Sequence, residues 1–454
     1  MKLQEFLKKK MTSYAKHIKE KRLASGARIL VAPFSSHRHV SLAGSILGGT
    51  LFAGSGELAK VHAAMLLEGT IKRHKKELQI ALDAIGASLL FSAGSDRLYF
   101  SGHVRITHLE EFLTLIAEAL SEPAFPAREL KILKSRERAA LALEAQDTHV
   151  QAEINLTKLL FKRGHPNFTE ETAASLQNLE KLDVKTLRAL HEKILDGSSL
   201  ILSASGDIVP MRLFSLTEKV FRKLSTQDLS LPHFTKATPG FARRVAMPIK
   251  EKASIDYELG IATGIGNKHP DYAPLLLGIQ IFGVPGFSGR LMSTVREVEG
   301  LTYAAYSYLS GFRHTTDGYI RIWSSFAPGL FSKGRTAILR EIQKIAREGV
   351  TAEEVRRHRE RFEASFRVRL SSSGAFARAA HDCIADNKPL SYLDTFPERI
   401  LTLSAPEVNR ALRKYLIPSK LSESAAGSVT KNFLPLNAEP SLDKKKGRRA
   451  SRRP

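Results

Sequence analysis

The chain has 454 residues, of which 43% are hydrophobic and 25% are charged, and its formal net charge at pH 7 is +23. This composition is typical of a globular protein with two or three domains, and the longest apolar runs are too short to cross a membrane. A single cysteine, Cys383, excludes an intramolecular disulfide and predicts a reducing compartment, taken as the cytoplasm. His381 and Asp382 stand beside it, but a buried, unreactive thiol is the favoured interpretation.

About half of the excess positive charge lies at the two ends of the chain, where residues 1–22 hold eight Lys/Arg and two Glu. Apolar residues at helical spacing predict a basic amphipathic helix over 1–25, docked on the protein or contacting a partner or membrane. The basic tail, residues 437–454, is predicted to be disordered because it has almost no apolar side chains to bury. A solvated tail is favoured over one that binds nucleic acid or lipid.

The first half of the chain, residues 26–224, is predicted to form one domain. Short apolar, β-branched runs predict strands at 28–33, 40–47, 87–92, 97–104 and 198–205. Amphipathic spacing predicts helices at 56–68, 74–85, 107–121, 127–146, 149–163 and 184–194. This order is typical of an α+β domain in which helices pack on one face of a largely antiparallel sheet.

A stretch rich in Pro, Ser and Thr, residues 225–248, is predicted to link this domain to a second one at 249–436. Strands are predicted there at 252–264, 303–311, 318–326 and 423–429, with helices at 270–282, 287–299, 330–348, 352–370, 375–386 and 405–415. The second half therefore repeats the first, and the repetition predicts an internal duplication with two homologous α+β domains.

The most informative segment runs from Lys60 to Thr70 and reads KVHAAMLLEGT. It resembles the zinc-site helix of the insulinase-type (pitrilysin-like, M16, inverzincin) metallopeptidases, which reads HxxEHMLFxGT. In this alignment Lys60 replaces the first zinc histidine, Ala63 the general-base glutamate and Ala64 the second histidine. An ammonium group and two methyl groups can neither hold zinc nor activate its water.

The resemblance also locates the third zinc ligand, a glutamate that lies roughly seventy residues further along in family members. The corresponding position is near Leu141, with Glu137 and Glu144 about one turn to either side. His62 alone cannot supply three tetrahedral ligands, so a hydrogen-bonded core residue is its favoured interpretation. The resemblance thus implies no zinc and no catalytic base in this chain.

Other segments extend the resemblance over about residues 26–430. They are the turn at 83–88, the Gly-His-Pro at 164–166, the Ser-Gly-Asp at 205–207, the His-Pro-Asp-Tyr at 269–272 and the stretch 290–303. The glycines that usually follow Gly-His-Pro in the family are absent here. The order and spacing of these segments carry the resemblance, since none of them is decisive alone.

The other part of the family's active site is present as Arg296 and Tyr303, seven residues apart. In the family, such a pair faces the zinc across an enclosed chamber. A guanidinium can hold a substrate carbonyl or carboxylate, and a tyrosine hydroxyl can donate to the developing oxyanion. The alternative is structural, with Arg296 capping a helix that ends at Gly300 and Tyr303 half-buried in a strand.

The resemblance implies a division of labour between two homologous chains. This chain would be the non-catalytic, Arg/Tyr-bearing subunit of a heterodimer, in the manner of mitochondrial-processing-peptidase-like chains, and its partner would carry HxxEH and zinc. The substrate would be an unfolded peptide, and this chain alone would have no activity. The alternatives are a structural scaffold like the peptidase-derived core subunits of respiratory complexes, or a basic protein that binds acidic polymers.

Overall fold

The computed structural model describes residues 13–35, 38–283, 289–313 and 316–436. The strands are β1 (Lys19–Arg22), β2 (Arg28–Pro33), β3 (His39–Leu47), β4 (Ser88–Ala93), β5 (Arg97–Arg105), β6 (Ile201–Gly206), β7 (Arg244–Pro248), β8 (Ile255–Ala262), β9 (Ala304–Ser310), β10 (Tyr319–Phe326) and β11 (Ser422–Gly427). The helices of the first half are α1 (Tyr14–His17), α2 (Thr50–Ala53), α3 (Gly56–Met65), α4 (Lys75–Ala84), α5 (Leu109–Ser121), α6 (Ala127–Glu144), α7 (Thr148–Leu160), α8 (Thr172–Glu180), α9 (Val184–Ile194) and α10 (Pro210–Phe221). Those of the second half are α11 (Tyr272–Gly283), α12 (Phe331–Glu348), α13 (Ala352–Arg369), α14 (Ser373–Ala385), α15 (Tyr392–Thr402) and α16 (Ala405–Tyr415), with a π-helix at Met292–Val298.

The two sheets share one topology. The first has the order β1-β2-β6-β3-β5-β4 and the second has the order β7-β11-β8-β10-β9. In each sheet one pair is parallel, β2 with β6 and β7 with β11, and the other pairs are antiparallel. The second sheet therefore repeats the first without β1. The predicted α+β class with two homologous domains is confirmed.

Each sheet packs against helices of its own half on one face. Val31, Leu42 and Leu202 lie in the core of the first half, and Tyr257 and Ile322 lie in the core of the second. Because alternate residues of a strand point to opposite faces, their neighbours form the other face of each sheet. A helix from the other half covers that second face.

The covering helices are exchanged between the halves. Helix α7 of the first half lies against β8 and β11 of the second sheet, and α14 of the second half lies against β3 and β6 of the first. Against the first sheet, Phe376 and Ala380 of α14 pack on Leu30 and Ile201. Each half therefore needs the other to cover its sheet, and the two halves interlock.

The structure corrects two sequence-based assignments near the domain boundaries. Within the predicted helix 1–25, residues 1–12 lie outside the described residues, and Lys19–Arg22 form the edge strand β1. All residues of β1 are charged. Charged residues are common in edge strands, but they also suit the exposed face of a helix, so the sequence does not distinguish the two. Within the predicted linker 225–248, Arg244–Pro248 form β7, because they pair with β11 near the other end of the second half.

The N-terminal segment bridges the two halves. Asp394 on α15 accepts hydrogen bonds from Ser13 Oγ and from the backbone nitrogens of Tyr14 and Ala15. Among the described residues, none of the helices combines the length and the apolar composition that crossing a membrane requires. The predicted tail 437–454 lies outside the described residues.

Candidate functional site

Helix α3, which aligns with the zinc-site motif, presents a different set of side chains. The hydroxyl of Ser55 caps its N-terminus. Lys60 is exposed, Ala64 is half-buried, and Ala63 is only 2% exposed and belongs to the core. The helix therefore directs one long cation outward from the position of the first zinc histidine.

Lys60 forms an ion pair with the helix that would carry the third zinc ligand. Its Nζ lies 2.5 Å from Oε2 of Glu137 on α6. Leu141, one turn further along α6, is buried in the core of the first half. A largely exposed ammonium thus connects α3 to α6, at the position that the alignment assigns to a zinc ligand.

A cavity of about 340 Å³ lies beside this ion pair. Its charged lining residues are Glu57, Lys60, Glu137, Glu144, Glu153 and Glu170. All lining residues fall between 57 and 179, so Arg296 and Tyr303 do not line this cavity. Within the part of the chain that the structure describes, no three His, Cys, Asp or Glu side chains are grouped to hold a metal ion.

His62 is a core residue of the first half. It is 1% exposed, and its Nε2 lies 3.1 Å from Nδ1 of His191 on α9, with the Phe125 ring beside both. Burial and the neighbouring His191 lower the pKa of His62 to about 3, and burial lowers the pKa of His191 to about 4. Both imidazoles are therefore neutral at physiological pH.

The Cys383 thiol is buried on α14. Burial raises its pKa to about 12, which leaves it protonated and unreactive at neutral pH. The neighbouring His381 instead joins α14 to the first sheet, with Nε2 2.7 Å from Ser45 Oγ and Nδ1 3.0 Å from Asp382 Oδ1.

Arg296 and Tyr303 lie against each other in the second half. Cζ of Arg296 is 4.8 Å from the centre of the Tyr303 ring, which is a cation–π contact. Tyr303 is 82% exposed and stands one residue before β9. The structure therefore brings the two candidates together and presents the tyrosine to solvent.

The helix that carries Arg296 differs from the predicted α-helix at 287–299. It is a π-helix over Met292–Val298, closed by the hydrogen bond from Glu299 N to Thr294 O. The chain leaves it at Gly300, whose φ of +63° suits a residue without a Cβ. Short π-helical segments occur frequently at functional sites.

An aromatic wall, formed by Tyr306, Tyr308 and Trp323, lies on β9 and β10. Tyr306 and Trp323 are cross-strand partners with ring centres 5.7 Å apart, and Tyr308 lies 6.2 Å from Tyr306. All three are half-buried. These residues were not among the sequence-based candidates. The alternation of side chains along Tyr319–Phe326 indicates which residues of that strand share a face with Trp323.

A buried charged network supports this wall. Arg321 donates to both carboxylate oxygens of Glu258, at 2.9 and 2.5 Å, and lies 2.9 Å from Glu153 of α7. Burial raises the pKa of Glu258 to about 7 in spite of the arginine. The carboxylate of Asp256, 3.7 Å from His149 Nδ1, raises the pKa of His149.

Comparisons with known proteins give a consistent result. Residues 181–362 match the protein family described as the peptidase M16 inactive domain. The non-peptidase homolog YmxG of Helicobacter pylori is 21% identical over 361 residues, which is 79% of this chain and 81% of that protein.

Solved structures share the fold. The crystal structure of a peptidase M16 inactive domain from Pseudomonas fluorescens has a TM-score of 0.83 at 23% identity, covering 91% of this chain and 98% of that one. The periplasmic protease PqqL of Escherichia coli has a TM-score of 0.75 at 12% identity, covering 93% of this chain but 46% of that one.

Proposed function

We propose that this chain, which resembles the peptidase M16 family in sequence and fold, is the non-catalytic subunit of a heterodimeric zinc peptidase. Its partner is a homologous chain that carries HxxEH and zinc, and the substrate is an unfolded peptide. This chain holds no zinc and is inactive alone. The buried, unreactive Cys383 supports a reducing compartment such as the cytoplasm.

The observation that carries the proposal is the contrast between the two halves. The first half fills the position of the zinc site with the Lys60–Glu137 ion pair, while the second half presents Arg296 and Tyr303 at its surface.

The chemistry of the exposed pair suits a site that is completed by another chain. A tyrosine hydroxyl can donate to the oxyanion that forms when zinc-bound water attacks a peptide carbonyl. The Arg296 guanidinium beneath the Tyr303 ring fixes the ring by the cation–π contact and has donors for a substrate carbonyl. The aromatic wall would contact the side chains of the bound peptide.

The first experiment is an affinity purification of the tagged chain from its native lysate, followed by mass spectrometry of the proteins recovered. We expect near-stoichiometric recovery of a homologous chain with HxxEH. Recovery of this chain alone, or of a large complex without such a partner, would contradict the heterodimer. It would leave the structural scaffold as the alternative.

The second experiment measures peptide hydrolysis by the reconstituted heterodimer. Tyr303→Phe keeps the ring and removes only the hydroxyl, so we expect a loss in kcat of about 10²-fold with the heterodimer intact. Arg296→Ala should raise KM and lower kcat, since it removes both a substrate contact and the support of the ring. Arg347→Ala, at an exposed ion pair, is the control and should retain full activity.

A further inference from the structure

A second cavity, which we call the linker groove, lies on the opposite end of α7 from the cavity at Lys60. It measures about 790 Å³ and is bordered by residues 158–165, by residues 233–243 and by the second sheet. Its charged lining residues are Lys158, Lys162, Arg163, Lys236, Arg243 and Lys420. Of the described residues that line it, none is acidic.

Several of these cations have no acidic partner within the described part of the chain. Lys158 pairs with Glu171 and Arg163 pairs with Glu170, which lie outside the lining. No such pair is found among the described contacts for the three exposed lysines, Lys162, Lys236 and Lys420. Arg243 donates to the carbonyl oxygen of Leu159, which leaves its charge uncompensated. The groove therefore carries a concentrated positive potential.

The walls of the groove are held in place by a buried carboxylate. Asp317, which is fully buried, accepts from the backbone nitrogen of Ala237 at 2.9 Å and lies 3.0 Å from His165 Nε2. The His165 ring stacks on Phe161 with centres 4.4 Å apart. The linker, the loop after α7 and the second sheet therefore form one preorganised surface, which lowers the cost of binding a ligand there.

An unpaired strand edge and an exposed aromatic ring adjoin the cations. β7 begins directly after Arg243 and is the outermost strand of the second sheet, with β11 on its other side. Phe241 lines the groove and is 94% exposed. An outermost strand can accept the backbone of an extended peptide. Sites for single-stranded nucleic acid instead stack successive bases on several aromatic rings.

We propose that the linker groove binds an extended, acidic segment of a partner protein. The carboxylates of the segment contact Lys162, Lys236 and Lys420, its backbone adds to the edge of β7, and an apolar side chain packs on Phe241. This interaction does not require a zinc-bearing partner, and it involves neither Arg296 nor Tyr303. It therefore stands or fails independently of the heterodimer.

The test measures the fluorescence anisotropy of a fluorescein-labelled decaglutamate peptide titrated with the full-length chain at low and physiological salt. The groove variant is Lys162→Glu/Lys236→Glu/Lys420→Glu, and the control variant is Lys76→Glu/Lys131→Glu/Lys333→Glu, at exposed positions outside the groove. The two variants have equal net charge and identical basic termini. Thermal unfolding followed by circular dichroism checks that both are folded.

We expect the groove variant to bind the peptide about tenfold more weakly than the control variant. Equal weakening in both variants would overturn the proposal, because it would show a non-specific attraction to the basic chain. Oligodeoxythymidylate of the same length distinguishes the ligand class. If the groove substitutions weaken binding of the oligonucleotide as much as binding of the peptide, an acidic peptide is contradicted as the ligand. Photocrosslinking from p-benzoylphenylalanine at position 241 should capture the peptide, and its failure would also count against the proposal.

Discussion

The two halves of the chain share a topology but differ in how their polar groups are satisfied. In the first half, Lys60 pairs with Glu137, and the buried His62 pairs with His191 as neutral rings. In the second half, the half-buried Arg321 is charged and faces the buried Glu258, whose pKa is raised, and the exposed Tyr303 lies against the half-buried Arg296. The first half therefore pairs the charge at its zinc-aligned position within the chain, and the second half presents the Tyr303 ring to solvent.

This difference bears on which half of the duplicated fold can contact a ligand. A polar group that finds its partner within the chain stabilises the fold and has no capacity left for a ligand. A polar group that stays exposed beside a rigid support keeps that capacity. The groups proposed to act on the substrate, Arg296 and Tyr303, therefore lie on the second half, whereas an ion pair fills the zinc-aligned position of the first half.

The largest expected effect comes from introducing the family's zinc ligands into the first half. Lys60→His, Ala63→Glu, Ala64→His and Leu141→Glu together supply two imidazoles and a carboxylate as ligands, with a second carboxylate as base. We expect the quadruple variant to bind one equivalent of zinc, with a free energy on the order of 10 kcal/mol. Equilibrium dialysis with elemental analysis measures this. The same variant with Leu141 and Ala64 unchanged is the control, and equal zinc content in both would contradict the aligned ligand geometry.

The next effect concerns the network that supports the aromatic wall. Arg321→Ala removes the partner of Glu258, which is buried, so the free energy of unfolding should fall by about 3–5 kcal/mol. Urea denaturation measures it. Arg347→Ala breaks an exposed ion pair and should change stability by less than about 0.5 kcal/mol. If Arg321→Ala had as small an effect as this control, the network would not be what holds α7 to the second sheet.

A smaller effect is the response of the first half to acid. The pKa of His62 is lowered in the folded state to about 3, whereas the unfolded chain has the ordinary value of 6.5. The folded state then binds fewer protons, so the stability present above pH 6.5 is lost as the pH falls toward 3. We expect a loss on the order of 2 kcal/mol from this group between pH 6.5 and 5.

His62→Leu should remove that part of the acid sensitivity, measured as the slope of unfolding free energy against pH. Glu258 acts in the opposite direction, because its pKa is raised from 4.5 to about 7 and the stability it contributes below pH 4.5 is lost as pH rises through 7. Glu258→Gln should therefore steepen the loss of stability on acidification in that window. An unchanged slope in His62→Leu would show that His62 is accessible to protons in the folded state.

Much of the fold could be predicted from the sequence because its signals are local. The strand at 28–33 and the helix at 405–415 coincide with β2 and α16, since each has a clear period and defined ends. The strands β1 and β7 could not be predicted in this way. Both are edge strands of polar or mixed composition, and β7 forms only because β11 lies beside it.

The candidate site was predictable to the extent that it depends on motifs. The resemblance to the metallopeptidase family predicts Arg296 and Tyr303 as a pair, and the structure places them in contact. The partner of Lys60 was not predictable, because it lies on another helix and its position depends on how α3 packs on α6. The aromatic wall and the linker groove likewise arise from strands and loops that are distant in sequence, so no local pattern reveals them.

The smallest expected effect concerns the ion pair at the position that aligns with the zinc site. The Lys60 side chain is 56% exposed, so its attraction to Glu137 is screened by solvent, and such pairs contribute about 0–1 kcal/mol. Lys60→Met keeps the length of the side chain and removes the charge, and we expect the free energy of unfolding to fall by less than about 1 kcal/mol. A larger fall would show that the ion pair is the main connection between α3 and α6. A small one would mean that the apolar core around Ala63 and Leu141 holds these helices without a cation, so that the zinc ligands could be lost without loss of the fold.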